Sequence, residues 1–464
     1  MTDPTYRDLV RTMRGGRITR RHFIQSATAL GISATSISSA LRANPSYAHA
    51  QEASTVTFWT THTEPDLSAL QMIVDGFNSE NSDVQAELVQ VVGDETDTTK
   101  LMTAVRGGTG PDVYMLDRFI VAQRAAEGVL QDLTEFMGGE DLSEVYIPFA
   151  WAEANFNGAA YALPFDTDAR ALFYNRGMLE DAGIDPAELD VANGPITFAR
   201  LTEIANQLNE TDQDGNFSRM GFVPHANQGW HYTYGFAFGG TFFDAATCQV
   251  TPDEAGVVAG HQWLYDYTAA LDPQKVNAFA GPFVAGEPLS EEQDPFVTER
   301  IGFVITGDWF LNTMTKFAPE VDFGLTVIPV PEEGAESATW AGGWSGVIPQ
   351  GAKNPEGAWR FMQYFAGEPG QRIYTTETAH LPTINALLAD ASLFEDEQHR
   401  FFAEQLLPTA KNRPPLPVGA RYWDELTTAW QKIYLNEEEP AAALATAKER
   451  VQPDLQGFCP IEIA

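Results

Sequence analysis

The pattern of apolar and polar positions after residue 53 alternates between the periods of strands and helices. The run Ser54–Trp59 alternates as a strand does, and Pro65–Asn78 carries apolar residues at helical spacing. A second strand is predicted over Val84–Val92, a helix over Thr98–Arg106 and a buried strand over Asp112–Leu116. This order of strand, helix, strand, helix and strand predicts a parallel sheet covered by helices.

Such sheets bind their ligands beyond the carboxyl ends of the strands. The segments Trp59–Glu64 and Asp117–Arg118 follow the first and third predicted strands. The pattern therefore predicts that both segments lie at the mouth of a cleft.

The rest of the chain continues the alternation without a repeat, a low-complexity tract or a long linker. Arg300–Ile305 is a compact predicted strand, and Pro195–Phe198 leads into a predicted helix. In the last third, Asn354–Ala366 and Tyr422–Tyr434 are the clearest helices. The length permits two domains, and the lack of a tether predicts that they pack closely.

The first 50 residues carry seven arginines and two acids. The pair Arg20-Arg21 stands before Phe23, an uncharged and mildly apolar run covers Ser26–Leu41, and Ala48–Ala50 has the small-x-small pattern of a cleavage site. We expect export by the twin-arginine route, removal of residues 1–50, and a mature protein in the periplasm or at the extracytoplasmic face. A membrane anchor is the alternative, but the run is short and rich in Ser and Thr.

The composition is strongly acidic, with 64 Asp and Glu against 28 Lys and Arg and a formal net charge of −36. Nucleic acid and anionic membrane surfaces are polyanions, so we expect neither as a partner. A surface rich in carboxylates stays hydrated, which is also what a saline or acidic medium would favour.

Both cysteines, Cys248 and Cys459, lie after the export segment. An oxidising compartment would allow them to pair, and their geometry decides whether they do. The histidines lack zinc-site spacing, and Asp212–Asn216 resembles half of a calcium loop whose twelfth position is Gly221 instead of a glutamate. We therefore expect an acidic turn there, no metal site and no cofactor.

Seven motifs follow one another along the chain: Gly110–Val113, Asn157–Pro164, Leu172–Arg176, Pro195–Phe198, Gly307–Trp309, Gly346–Pro349 and Lys353–Phe361. In this order and spacing they resemble family 1 of the extracellular solute-binding proteins, the sugar-type binding proteins of ABC importers that include maltose-binding protein. The resemblance covers nearly the whole chain after residue 50. It implies an α/β fold of the type II periplasmic-binding-protein class, with two lobes, a helix-covered sheet in each lobe and hinge strands between them.

The resemblance also implies that each lobe is discontinuous in sequence. The N-terminal lobe is expected at 51–171 plus 330–379 and the C-terminal lobe at 172–329 plus 380–464. Crossings are expected near Ala171–Tyr174, Val327–Val330 and Ala379–Pro382. The implied function is a monomeric, non-enzymatic binding protein that closes around a mono- or oligosaccharide and presents the closed state to the transmembrane subunits of an ABC permease.

A sugar site needs aromatic platforms for the ring faces and polar groups for the hydroxyls. The aromatic candidates, mostly at loop positions, are Trp59, Phe165, Trp230, Tyr232, Trp309 and Trp344. The polar candidates are Glu64, Asp117, Asp166, Asp308 and Arg421, and Gly343 would let backbone approach a ligand closely. In contrast, Trp151, Trp263, Trp359 and Trp430 lie in periodic apolar segments and are expected in the core.

Two alternatives stay open on the sequence. The same fold would serve a polyamine or another non-sugar solute, because carboxylates are plentiful. Tryptophan-rich loops favour a sugar, and a phosphate ligand would need clustered arginines or amide nests. An exported glycoside hydrolase would use a pair of carboxylates, against which the order of the binding-protein motifs argues.

Overall fold

A computed structural model of the chain describes residues 9–12, 23, 25–27, 53–93, 98–285 and 290–461. The twin arginine and the expected cleavage site after Ala50 lie outside the described residues. The chain divides into two compact units, Met1–Thr55 with Glu80–Gln85 and Val56–Ser79 with Ala86–Ala464. Within the first unit, the backbone N–H of Ser54 donates to the carbonyl of Asp83 at 2.9 Å.

The first of two five-stranded sheets is built mainly from the N-terminal part of the chain. Its strands are, in order, Val84–Gln90, Ser54–Thr60, Val113–Asp117, Trp344–Val347 and Ala162–Pro164. The pairing of Ser54–Thr60 with Val113–Asp117 is parallel, as the sequence pattern predicts. Trp344–Val347 is antiparallel to both of its neighbours, so a strand from late in the chain completes this sheet.

Helices cover the first sheet because their apolar stripes meet its buried strands. Asp66–Glu80 buries the residues that the helical spacing predicts, among them Leu70, Ile73 and Phe77. Pro355–Phe365 packs on the same layer, with the ring of Phe361 centred 5.2 Å from that of Phe77.

The second sheet is mixed and has the strand order Phe323–Thr326, Arg170–Asn175, Ile301–Gly307, Phe217–Phe222 and Glu210–Thr211. Every residue of its two central strands, Arg170–Asn175 and Ile301–Gly307, is buried, and these strands are antiparallel. Ile301–Gly307 is parallel to Phe217–Phe222. The final helices, Gly419–Tyr434 and Pro440–Gln456, pack on each other and on Ala255–Ala270.

Twelve further helices and two hairpins are present in the described residues. The other helices are Thr99–Arg106, Val121–Ala126, Thr134–Met137, Pro148–Glu153, Arg176–Asp181, Phe198–Leu208, His231–Ala237, Pro273–Ala280, Phe310–Phe317, Glu368–Thr378, Asn385–Leu388 and Glu397–Phe401. Two hairpins join Asn155–Phe156 to Ala159–Ala160 and Phe243–Asp244 to Gln249–Val250. Among the residues described, no helix combines the length and the apolar character that crossing a membrane requires.

Two short ladders connect the sheets and form the hinge. Asp166–Thr167 pairs with Leu381–Pro382, and Trp340–Ala341 pairs with Lys411–Asn412. The first passage between sheets therefore runs through Phe165–Ala169. The expected crossing at Ala171–Tyr174 is instead a strand inside the second sheet, because its apolar side chains are buried between layers.

Cys248 and Cys459 form a disulfide, with their Cα atoms 6.0 Å apart. The bond joins the segment after the last helix to the turn that precedes Gln249–Val250. The side-chain amide of Gln452 also donates to the carbonyl of Cys248 at 3.0 Å. The disulfide thus fastens the C-terminal tail to this turn, and two hydrogen bonds of Gln452, to Cys248 and from Val250, fasten the last helix to the same segment.

Candidate ligand-binding site

A cavity of about 210 Å³ opens where the two sheets and the hinge strands meet. Its lining consists of polar, aromatic and glycine residues: His62, Asp66, Asp117, Asp168, Arg170, Gln228, Trp309, Trp340, Gly342, Gly343, Trp344, His380 and Arg413. A second cavity, also about 210 Å³, shares Gln228 and Trp309 with it and extends toward Ser290, Glu291, Asp294 and Thr313. We call the two together the cleft.

The strand order of both sheets explains why these side chains meet. His62 follows the strand Ser54–Thr60, and Asp117 ends the neighbouring parallel strand. In the second sheet, Gln228 and Trp309 follow the two parallel strands Phe217–Phe222 and Ile301–Gly307. Each lobe thus contributes the carboxyl ends of its parallel strands, which is the usual ligand position in α/β sheets.

Two carboxylates of the hinge hold the backbone at the base of the cleft. Asp166 Oδ1 accepts a hydrogen bond from the N–H of Trp344 at 2.6 Å, and Asp168 Oδ1 accepts one from the N–H of Gly342 at 2.5 Å. Gly343, between them, has φ of 127°, a conformation that side chains rarely adopt. A Cβ there would come within 2.3 Å of the Arg118 guanidinium, so glycine is required.

Three arginines of the cleft and hinge are each committed to a carboxylate. Arg413 donates to Asp117 at 2.7 Å, the Arg118 Nε donates to Glu153 at 2.9 Å, and Arg170 pairs with Asp168. All of these side chains are buried. Removing one partner of a buried pair costs about 3–5 kcal/mol, because the other charge is left without compensation.

The same arginines lie on aromatic faces. The guanidinium carbon of Arg170 is 3.5 Å from the centre of the Trp340 ring, and that of Arg413 is 3.9 Å from the Phe119 ring. Trp340 Nε1 donates to the hydroxyl of Thr233 at 2.9 Å. Trp340 is therefore covered on one face and fixed at its polar edge, so that it serves as a rigid wall of the cleft.

Trp309 and Trp344 are the half-buried indoles of the cleft. The centres of the Trp309 and His380 rings are 5.4 Å apart at an interplanar angle of 25°, and those of the Trp344 and His62 rings are 4.4 Å apart at 72°. Asp308 accepts the N–H groups of Trp309 and Leu381, each at 3.1 Å, and so ties Trp309 to a hinge strand. The arrangement offers two aromatic surfaces in fixed positions.

Burial changes the protonation of the groups behind these rings. It raises the pKa of Asp166 to about 8 and, with Asp168 nearby, raises the pKa of Asp308 well above its usual range. It lowers the pKa of His380 to about 4 and, together with His380, that of His62 to about 3. Near neutral pH His380 and His62 are therefore uncharged, and the carboxyl group of Asp166 carries a proton.

The cleft unites some of the side chains that the sequence predicts. Asp117, Trp309, Gly343 and Trp344 line it. Asp166 and Asp308 lie directly behind the lining, where they hold backbone N–H groups of Trp344, Trp309 and Leu381.

The structure places the other predicted site residues away from the lining. Phe165 is fully buried, with its ring 3.9 Å from that of Phe365, and Tyr232 is buried against Phe242 at 4.3 Å. Trp230 packs on Trp423, 5.1 Å between ring centres. These three aromatic rings are occupied by other rings of the core.

Trp59, Glu64 and Arg421 are also outside the lining. Trp59 lies on the first strand in register with Tyr114 and packs against the core. Glu64 is exposed and accepts from the hydroxyl of Ser68 at 2.7 Å. Arg421 pairs with Asp454 on the surface at 2.9 Å.

Sequence reasoning did not single out nine lining residues: His62, Asp66, Asp168, Arg170, Gln228, Trp340, Gly342, His380 and Arg413. Asp166, Asp168 and Arg170 stand at alternate positions beside a buried strand. Because buried charges need partners, this pattern could have indicated that Asp168 and Arg170 also belong to the site. Arg413 carries no such signal, because its partner Asp117 is 296 positions away.

The turn that resembles half of a calcium loop is closed by its own backbone. Asp212 Oδ1 accepts the N–H groups of Asp214 and Asn216, each at 2.9 Å. This is the expected Asp turn between Glu210–Thr211 and Phe217–Phe222. Within the described part of the chain, no three His, Cys, Asp or Glu side chains are grouped as a metal ion would need.

The chain matches known proteins over most of its length. The profile of the bacterial extracellular solute-binding proteins matches residues 60–372. A maltotriose-binding protein of Pyrococcus abyssi is 23% identical over 411 residues, which are 87% of this chain and 83% of that protein. The mannobiose-bound structure of CpMnBP1 has a TM-score of 0.77 and 22% identity and covers 86% of this chain and 100% of its own.

A further solved relative is UgpB of Mycobacterium tuberculosis in complex with glycerophosphocholine, with a TM-score of 0.69 and 21% identity over 88% of this chain and 99% of its own. These likenesses bear out the two-lobed α/β fold with hinge strands. The profile match spans well over half of the chain. The protein described here belongs to the family of bacterial extracellular solute-binding proteins.

Proposed function

We propose that this protein is the extracytoplasmic substrate-binding component of an ABC importer and binds a mono- or oligosaccharide in the cleft. The observation that carries the proposal is the combination of two half-buried indoles, Trp309 and Trp344, with polar groups from both lobes around one cavity. The names of relatives, such as the maltotriose-binding protein of Pyrococcus abyssi, support the same ligand class.

Each type of group suits one part of a sugar. The C–H faces of a pyranose pack on Trp309 and Trp344, and its hydroxyls reach the carboxylate of Asp117, the guanidinium of Arg170 and the amide of Gln228. Because Trp344 and Trp309 belong to different lobes, a ligand held by both has higher affinity for the closed state. The permease subunits would then recognise closure.

The lobes of this proposal follow sheet membership. The proposed N-terminal lobe runs from 51 to a boundary within Phe165–Ala169 and includes 330–379, and the proposed C-terminal lobe runs from that boundary to 329 and includes 380–464. The two hinge ladders then lie at the lobe boundary, where small backbone rotations would swing one lobe against the other.

Binding is tested by thermal shift and calorimetry on a panel of mono- and oligosaccharides, with polyamines as the competing class. A ligand at 100 times its Kd stabilises the folded state by about 2.7 kcal/mol, and a 1:1 stoichiometry with unmodified ligand is expected. A shift with a polyamine and with no saccharide would overturn the sugar class. Release of shorter saccharides would instead indicate a hydrolase.

Export by the twin-arginine route, cleavage after Ala50, a monomeric state and docking on a permease complete the proposal. Replacing Arg20 and Arg21 by lysine is expected to keep the protein in the cytoplasm, because that route reads the arginine pair. Mass spectrometry of the exported protein should find Gln51 as its first residue. An exported double variant, or a mature protein that keeps residues 1–50, would contradict this part.

A further inference from the structure

Gln228 lies at the junction of the two cavities that form the cleft. Gln228 and Trp309 are the residues that line both cavities. Each cavity, at about 210 Å³, is smaller than a typical small-molecule site of roughly 300–1,000 Å³, whereas the two together are within that range. A ligand that fills the cleft therefore occupies both cavities and passes Gln228 where they meet.

Three of the four hydrogen-bonding groups of Gln228 have partners in the protein. Its backbone N–H donates to the carbonyl of Ile305 at 3.0 Å, and its backbone carbonyl accepts from the hydroxyl of Thr233 at 2.8 Å. Its side-chain oxygen Oε1 accepts from the guanidinium of Arg170 at 3.2 Å. The fourth group is the side-chain nitrogen Nε2, and no described residue accepts a hydrogen bond from it.

Arg170 determines which end of this amide is left for the cleft. A guanidinium has donors and no acceptor, so Gln228 can meet it only with its oxygen. The guanidinium is itself held by the carboxylate of Asp168 and by the Trp340 ring, whose centre is 3.5 Å from the guanidinium carbon. The amide therefore cannot turn over without losing its bond to Arg170, and its two N–H donors stay directed away from that guanidinium.

The neighbouring amide in the same loop has a different arrangement. Asn227 lines one of the two cavities, and its Nδ2 donates to the carboxylate of Asp294 at 3.1 Å. Its nitrogen thus has a partner within the protein, whereas that of Gln228 has none among the described residues. Gln228 is half-buried, where a donor without a partner loses part of its hydration. An acceptor that a ligand brings to the junction would replace the lost hydrogen bond.

We propose that Gln228 is a specificity-determining residue that donates to the oxygen linking two sugar units, one unit in each cavity, and that Arg170 is its positioning residue. This inference rests on the proposed function and names the ligand more closely, as a saccharide of at least two units. It assigns to the amide of Gln228 the linking oxygen rather than a hydroxyl. That oxygen carries no proton and can only accept, which matches an amide that presents only N–H donors.

The experiment replaces the linking oxygen by sulfur, which is a weak acceptor. Maltose, cellobiose and mannobiose are each measured by calorimetry at pH 7 beside their S-linked analogues, with glucose and mannose as single units. We expect the parent protein to bind an O-linked disaccharide several-fold tighter than its S-linked analogue. In Gln228→Met, which keeps the length of the side chain and has no N–H donor, the O-linked affinity should fall roughly tenfold and the preference for oxygen should disappear. Comparing the ratio in the two proteins cancels the difference in geometry between the linkages.

Further variants test the orientation of the amide. Gln228→Glu still accepts from Arg170 but presents an acceptor at the junction, so its O-linked affinity should fall at least as far as in Gln228→Met. Arg170→Lys keeps a charge for Asp168 and lacks the planar fork that holds the amide, so the preference for oxygen should weaken several-fold, and adding Gln228→Met should then cost less than it does in the parent. Gln274→Glu makes the same exchange at an exposed glutamine outside the lining and should change neither the affinity nor the preference. Circular dichroism confirms that each variant is folded.

The outcomes separate this inference from the function on which it rests. A parent protein without a preference for oxygen, or a preference that survives in Gln228→Met, would overturn the role of Gln228 and leave a sugar-binding protein. A preference that Arg170→Lys retains in full would overturn the positioning role of Arg170. Binding of glucose or mannose but of none of the disaccharides would overturn the linking oxygen and leave the sugar proposal. Binding of no saccharide would overturn the sugar proposal together with this inference.

Discussion

Two groups of aromatic side chains in the molecule differ in their surroundings, although Trp230 and Tyr232 of one group were predicted from the sequence to belong with the other. The cleft aromatics are Trp309 and Trp344, and the core aromatics are Trp230, Tyr232, Trp423 and Trp430. Trp230 is half-buried, as Trp309 and Trp344 are, so exposure does not separate the groups. The neighbours do: Trp230 has the rings of Trp423 and Trp430 within 5.3 Å, whereas the cleft pair faces a cavity.

This difference indicates which aromatic residues can offer a stacking surface to a ligand. Trp309 and Trp344 are each supported by a histidine, His380 or His62, and by backbone that Asp308 or Asp166 holds. The Arg170 guanidinium carbon also lies 5.5 Å from the centre of the Trp309 ring, and both indoles line the cavity. The core aromatics pack against other aromatic rings instead, and these contacts stabilise the folded protein.

The largest expected effect is on the core side of the comparison. Trp430→Ala removes a fully buried indole from the helix Gly419–Tyr434 and should lower the free energy of unfolding by about 4 kcal/mol, through lost burial and a cavity. Urea unfolding measures it. The folded fraction should keep its ligand affinity within about twofold. A large loss of affinity without a loss of stability would show that the two groups are not separate.

The next largest effect is on the cleft side. Trp309→Ala should weaken saccharide binding by about 2 kcal/mol, roughly 30-fold, because the platform for one ring face is lost. Calorimetry measures the affinity, and Trp309→Phe, which keeps a smaller ring, should lose less. Stability should fall less than in Trp430→Ala, since this indole is half-buried. Unchanged affinity in the alanine variant would remove Trp309 from the site.

The elements of the fold were predictable because they are local. The helical spacing of Leu70, Ile73 and Phe77 and the alternation of Ser54–Trp59 gave elements that match the structure to within a few residues. Predicting the cleft succeeded where a side chain follows a strand directly, as for Asp117, or lies in a family motif, as for Trp309.

The prediction failed where partners are distant in sequence. Whether Trp230 faces a cavity or Trp423 depends on a helix that begins almost 190 residues later, and no local pattern encodes that contact. Arg413 enters the cleft through its pair with Asp117, also a long-range contact. The lining residues that the hinge ladders contribute could not be predicted for the same reason, because each ladder pairs segments that are far apart in the sequence.

A smaller effect concerns the carboxyl group that supports Trp344. Because the folded-state pKa of Asp166 is raised to about 8, the folded protein keeps a proton that the unfolded chain has released, and stability falls as pH rises from about 4 to 8. Asp166→Asn cannot ionise and can still accept the N–H of Trp344 through Oδ1. The variant should therefore gain stability relative to the parent as the pH rises from 5 to 8.5, with a slope of up to about 1.4 kcal/mol per pH unit below pH 8.

Urea unfolding at the two pH values measures this difference. The charged and titratable groups that interact with Asp166 are the same in both proteins, so their own titration largely cancels in the comparison; they are Arg118, Asp168, Asp66, Asp308, Tyr374 and His380. Trp430→Ala serves as the control, because its loss of stability should not depend on pH. A constant offset between Asp166→Asn and the parent would mean that Asp166 is already ionised in the folded state.

The smallest expected effect tests whether Trp59 belongs with the core aromatics or with the cleft aromatics. Trp59 was predicted from the sequence to lie at the cleft mouth, but it is half-buried, lies in register with Tyr114 in the first sheet and packs against the core. Trp59→Phe keeps an aromatic ring on that strand, so stability should change by about 1 kcal/mol or less and saccharide affinity by less than about twofold. Trp344→Phe, the same exchange inside the cleft, should weaken binding measurably while changing stability no more. Equal losses of saccharide affinity in Trp59→Phe and Trp344→Phe would contradict this expectation. Trp59 would then have to be counted among the cleft aromatics, although it does not line the cavity.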